Sequence, residues 1–227
     1  MAWPLAFSLL LPACGGSEGD DGDGGGPEKS PWAGKIYSLT IDPDLWVEPP
    51  GVGGDIGEFV PEFLLSVADE AGTSPKVTIA TALNGAQNQC NATTEVTGST
   101  QSPNSLVVAD EFLLHVVHPR IPVTTDLTLH DLTFTNILPA AGAEGELTVE
   151  MDVNEAYVLF DRVPESSRTP EGVCTLLAMA DAPCVACSFG DGGPHCLSLK
   201  AVQLAGVESS LAVEPIAVAD RDPSCNP

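Results

Sequence analysis

Positive charge is scarce in this chain. Eight Lys and Arg stand against 32 Asp and Glu in 227 residues, a formal charge of −24 at pH 7. Such a chain repels phosphate backbones and anionic headgroups, which excludes nucleic acid as a partner and electrostatic attraction as a mode of membrane binding. No apolar run reaches the ~18 residues that a spanning helix needs. The sequence holds no GxxxxGK[ST], HExxH or GxGxxG, so the common phosphate, zinc and dinucleotide motifs are missing. Aromatic residues make up only 5%. Trp32, Trp46, Tyr37 and Tyr157 are those best suited to sugar or protein contact.

Apolar residues make up 43% and mean hydropathy is +0.13, so a sizeable core can form. Gly 22 and Pro 20 argue for many turns and against a helical bundle. The first residues read as an export signal: residues 5–13 form a short apolar core that ends in the small residue Ala13. Leu11-Pro12-Ala13-Cys14 resembles the lipobox of bacterial lipoproteins. The resemblance implies cleavage before Cys14, acylation of Cys14 and attachment to a membrane of the bacterial cell envelope through that lipid. The expected division is a signal peptide over 1–13, a lipidated cysteine and flexible Gly/Asp-rich tether over 14–30, and a single folded domain over 31–227.

The tether is too rich in glycine to pack. Asp20, Asp21 and Asp23 suggest a calcium loop, but the spacing fails. Counted from Asp21, position 5 is Gly25 and position 12 is Trp32. With Cys14 assigned to lipid, six cysteines remain: Cys90, Cys174, Cys184, Cys187, Cys196 and Cys225. An even number in an exported chain predicts three disulfides. The best connectivity is Cys174–Cys184, Cys187–Cys196 and, by elimination, Cys90–Cys225, with exchange of Cys184 and Cys187 as the alternative. The rival is a zinc site from Cys184-Val-Ala-Cys187 with Cys174, His195 and Cys196, a weaker signal because no second CxxC accompanies it.

Period-two alternation is clearest at Glu146–Val153, four apolar residues against four polar ones. Lys35–Ile41, Lys76–Leu83, Ala92–Ser99, Glu111–Val117, Val123–Phe134, Leu197–Leu204 and Leu211–Val218 also read as strands. The phase slips at His130-Asp131, which predicts a bulge or a break there. Two helices are expected: one capped by Asn154 and running to about Val163, and one capped by Thr169 with Pro170 in first position. A third starts at Pro61 and uses Phe63, Leu64 and Val67. The fold expected is mainly β, an antiparallel β-sandwich (jelly-roll-like or Ig-like) with two or three short helices and a disulfide-rich C-terminal segment.

No catalytic set emerges. His115 and His118 lie three apart and would face opposite sides of a strand, so they cannot share a metal. His130 is expected at the surface, and His195 lies beside the cysteine cluster. Asp42 and Asp44 read as turn residues, and Glu146, Glu150 and Asp152 as a solvated strand face. No cofactor, resident metal or catalytic residue is assigned. The leading reading is a non-catalytic binding or structural protein of the envelope, with a protein or glycan ligand. Its rivals are a divalent-metal-assisted carbohydrate-binding module, and an envelope hydrolase acting on sugar or ester substrates.

Overall fold

A computed structural model of the chain describes residues 29–50, 57, 59–99, 105–118, 122–137, 145–161 and 163–225. Cys14 and nearly all of the expected tether lie outside the described residues. Lys29 and Ser30, assigned to the tether from sequence, belong to the folded part. Lys29 bridges Ala71 and Gly72 and pairs with Asp69 at 2.9 Å.

Alternating apolar residues build the strands β1 (Ile36–Leu39), β2 (Trp46–Glu48), β3 (Glu62–Val67), β4 (Lys76–Leu83), β5 (Ala86–Gln87), β6 (Thr94–Thr97), β7 (Leu106–Val117), β8 (Thr124–Thr135), β9 (Gly145–Asp152), β10 (Cys196–Leu204) and β11 (Val207–Ser209). They form two antiparallel sheets. The first runs β11-β1-β3-β4-β5, with β6 also paired to β4, and the second runs β2-β10-β9-β8-β7. The inner faces meet in one apolar core. Phe63 of the first sheet packs edge-on against Phe112 and Phe134 of the second, with ring centroids 5.9 and 5.3 Å away. Edge-to-face contact sets the electropositive ring edge against the partner's π face.

The phase slip at His130-Asp131 is a bulge. β7 and β8 pair in unbroken register. β8 slips by one residue against β9 between His130 and Thr133, and Asp131 takes φ +50°. The inward set therefore changes parity in both strands. It passes from Val107 and Ala109 to Phe112 and Leu114 in β7, and from Leu127 and Leu129 to Leu132 and Phe134 in β8.

Three expectations are corrected. The segment after Pro61 is strand β3, not a helix. Phe63, Leu64, Leu65 and Val67 are all buried, on both faces of the sheet. Leu211–Val218 is not a strand but a strap that joins the ladder of neither sheet. Leu211 and Val213 of the strap cover Leu64, Ala80 and Ala82 on the outer face of the first sheet. Asn154 is not the helix cap. The Asp152 carboxylate accepts from the Asn154 N–H instead, and α1 (Val153–Ala156) passes into a single 3-10 turn at Tyr157–Leu159.

The other helix, α2 (Pro170–Met179), starts as expected, with Thr169 Oγ accepting from the Gly172 N–H. It buries Val173 and Leu177 and leaves Leu176 and Ala180 exposed.

Candidate functional site

Beyond β10 the strap crosses from one sheet to the other. Gln87 and Glu214 exchange two hydrogen bonds of 2.8 Å. The Ile216 N–H donates to Thr93 Oγ at 2.9 Å. Arg221 then grips Asp126 of β8 with contacts of 3.0 and 3.1 Å. His115, opposite Asp126 in the register, completes the network through Nδ1 at 2.7 Å. Burial pushes the Asp126 carboxyl up, but hydrogen bonds from His115 and Arg221 outweigh it and hold the group below its ordinary value. Asn91 supports the same corner: it is buried, its Nδ2 donates to Thr81 Oγ at 2.8 Å, and its Oδ1 accepts from the His115 N–H.

The strap ends in the Cys90–Cys225 disulfide, whose partners are 135 residues apart in sequence. Cys174 is bonded to Cys184, tying α2 to the loop that follows it. Cys187 is bonded to Cys196, pinning the start of β10. The alternative exchange of Cys184 and Cys187 is not the arrangement found. Asp152 approaches Cys187 and Cys196 within 4.8 Å. Those sulfurs are consumed by their mutual bond, as are those of Cys174 and Cys184, so the expected zinc rival has no thiolate to use.

The disulfide loop folds over the outer face of the second sheet. Phe189 stacks on His130, with centroids 3.4 Å apart and planes 14° from parallel. His130, expected at the surface, is consequently 8% exposed. Beside it Ser188 Oγ lies 2.6 Å from Asp131 Oδ2 and 2.9 Å from Glu150 Oε2, and the Ser188 N–H donates to Glu150 at 3.0 Å. One hydroxyl proton serves one carboxylate at a time, so the pair shares it. Asp131 and Glu150 open onto a depression of about 250 Å³ whose walls include Glu48, Thr148, Ser198 and Lys200. The Lys200 ammonium is held by Glu146 at 3.0 Å. The bulge aims Asp131 here, and the register places Glu150 beside His130.

The aromatic candidates turn inward. Trp32, Tyr37 and Trp46 are buried, and Tyr157 packs half-buried against the core. Burial and, second, the Glu208 charge push the Tyr37 phenol up to about 12. Trp46, the first residue of β2, is buried at the core edge. Gly57 packs so close that an added Cβ would sit 2.6 Å from the indole nitrogen. His118 is buried too, with Nε2 3.1 Å from the Leu159 carbonyl. His195 lines an open groove with Glu171, Met179 and the Cys174–Cys184 bridge. The Ser188–Phe189 cover was missed from sequence. Its only signal was a serine and a phenylalanine inside a short disulfide loop. The chain matches no family model, no curated protein and no solved structure.

Proposed function

We propose that this chain is a lipid-anchored protein of the bacterial cell envelope, held by Cys14, whose disulfide-locked sandwich has a binding or structural role rather than a catalytic one. The observation that carries the reading is the cysteine pairing. All six cysteines after Cys14 bond to one another, which leaves Cys14 as the odd thiol directly behind the apolar run. Paired cysteines fit an oxidising compartment. Two acyl chains hold a protein to a membrane far more firmly than one. Cys14→Ser should move the protein from the membrane to the soluble fraction and abolish incorporation of labelled fatty acid. A variant that stays membrane-bound sinks the reading.

A second reading is favoured by one specific feature: Asp131 and Glu150, joined through Ser188, lie beside the half-buried ring of Phe189. Carboxylate oxygens next to an aromatic suit divalent-cation-assisted glycan binding. Calorimetry with calcium, then with an oligosaccharide mixture in its presence, tests this. No heat from either rejects it.

A further inference from the structure

Phe189 lies flat on the outer face of the second sheet. Its plane is 14° from that of His130, and the two ring centroids are 3.4 Å apart. A ring stacked this closely gives up one whole face to its neighbour. The exposure that Phe189 retains therefore belongs to its opposite face and its rim. The Cys187–Cys196 bond closes the loop that carries the ring, and the Cys187 N–H donates to the Gly193 carbonyl at 2.8 Å across it. Ser188, the residue before it, is tied to Asp131 and Glu150. The ring is thus held in place before any ligand arrives, which spares the ordering cost that a mobile loop incurs on binding.

Hydrogen-bonding groups follow the ring across the sheet. His130, beneath Phe189, pairs with Glu150 in the β8–β9 ladder, and Glu150 pairs with Ser198 in the β9–β10 ladder. Neighbouring strands are ~4.8 Å apart, so these three positions span ~10 Å. The depression described above begins at Asp131 and Glu150 and continues to Thr148, Ser198 and Lys200. A carboxylate offers about four lone-pair sites. Ser188 occupies only part of that capacity on Asp131 and on Glu150. The remainder can accept hydroxyl protons, and hydrogen bonds to a charged acceptor are the stronger kind.

We propose that the outer face of Phe189, together with the Asp131 and Glu150 carboxylates, is a binding platform for uncharged pyranose sugars. The C–H-lined face of the sugar lies on the ring. The π face carries the negative end of the ring quadrupole and attracts the slightly positive C–H hydrogens. Hydroxyls at the edge of the sugar donate to Asp131 and Glu150, and the depression receives the next residue of a short oligosaccharide. Glu48 adds a third carboxylate to its walls, while Lys200, the one cation there, is held by Glu146. Uronic and sulfated sugars are consequently repelled. The proposal rests on the glycan half of the second reading above and deepens it by naming the sugar class and the ring. It needs no cation, because the carboxylates accept sugar hydroxyls directly.

Titration calorimetry is run on the full-length, disulfide-bonded chain with cellohexaose, mannohexaose and chitohexaose as neutral probes and hexagalacturonate as the charged one. Each titration is made once in EDTA and once in calcium. The expected result is binding of at least one neutral probe in EDTA and none of hexagalacturonate. Phe189→Leu keeps apolar volume but lacks a flat ring, and should weaken that binding about tenfold, whereas Phe189→Trp keeps it. Asp131→Asn with Glu150→Gln should weaken it as well and lift the discrimination against hexagalacturonate. Thermal melts identify any variant that has lost its fold, and Phe189→Trp keeps the ring testable if Phe189→Leu is one of them. Binding of no neutral probe in either medium overturns the proposal and the glycan reading together. Binding that Phe189→Leu leaves unchanged overturns the proposal alone. Binding that requires calcium also overturns it, and leaves the cation-assisted reading standing.

Discussion

Replacing Cys90 and Cys225 together by alanine opens a covalent loop across a sequence separation of 135 residues. Chain entropy assigns such a bridge about 5 kcal/mol at most, because the unfolded chain regains the freedom that closure removes. The strap should stay docked in the variant. Arg221 still holds Asp126, and Gln87 and Thr93 still bond to Glu214 and Ile216. The loss therefore falls on the folding equilibrium rather than on native geometry. For a domain of this size 1 kcal/mol shifts Tm by about 2–4 °C, so the full effect is about 10–20 °C. The matched control is Cys174→Ala with Cys184→Ala, where the separation is 10 residues. The same model gives about 3 kcal/mol there, or about 6–12 °C. Scanning calorimetry of both variants under non-reducing conditions decides the matter. The long-range pair should cost clearly more. Equal losses, or a larger loss for the short loop, refute the chain-entropy reasoning.

The lowered Asp126 pKa has a definite sign in pH-dependent stability. Its contribution is complete above the ordinary carboxylate range and is lost as pH falls through the lowered folded value. Asp126→Asn should therefore be less stable than the parent in urea at pH 7, with the gap closing in acid; a gap that does not change with pH contradicts the assignment. Phe189→Ala should cost about 1–2 kcal/mol through lost stacking and burial, and should move the His130 ring proton resonances downfield as the ring current is removed. Unmoved His130 signals would mean that the loop does not cover the sheet in solution.

The sequence reveals strands best where one sheet face meets water. Glu146–Asp152 alternates because Glu146, Thr148 and Glu150 point outward, and the alternation alone identifies the strand. β3 resembles a helix in sequence because its outer face is not wet. Leu211 and Val213 cover Leu64, so consecutive residues are buried and alternation vanishes. The strap suffers the converse error. It alternates to match the surface beneath it, and nothing local tells packing on a sheet face from pairing at a sheet edge. The cysteine framework was legible because Cys187 and Cys196 flank a glycine-rich turn, which brings its own ends together. The Ser188–Asp131–Glu150 cluster was not, because it joins a loop to two strands 38 and 57 residues earlier in sequence.

The position of Asn91 has a practical consequence for how this protein can be produced. Asn91-Ala92-Thr93 is an acceptor triplet for N-linked glycosylation. In a eukaryotic secretory pathway a glycan would be attached while the chain is still unfolded. Yet Asn91 is 2% exposed, and its amide nitrogen is committed to Thr81 while its oxygen serves the His115 backbone. A glycosylated Asn91 has no room to return to that corner, and Cys90 beside it would be hindered from reaching Cys225. Yeast or mammalian secretion should yield misfolded, mispaired material. A bacterial periplasm without that transferase forms the same disulfides and spares the asparagine.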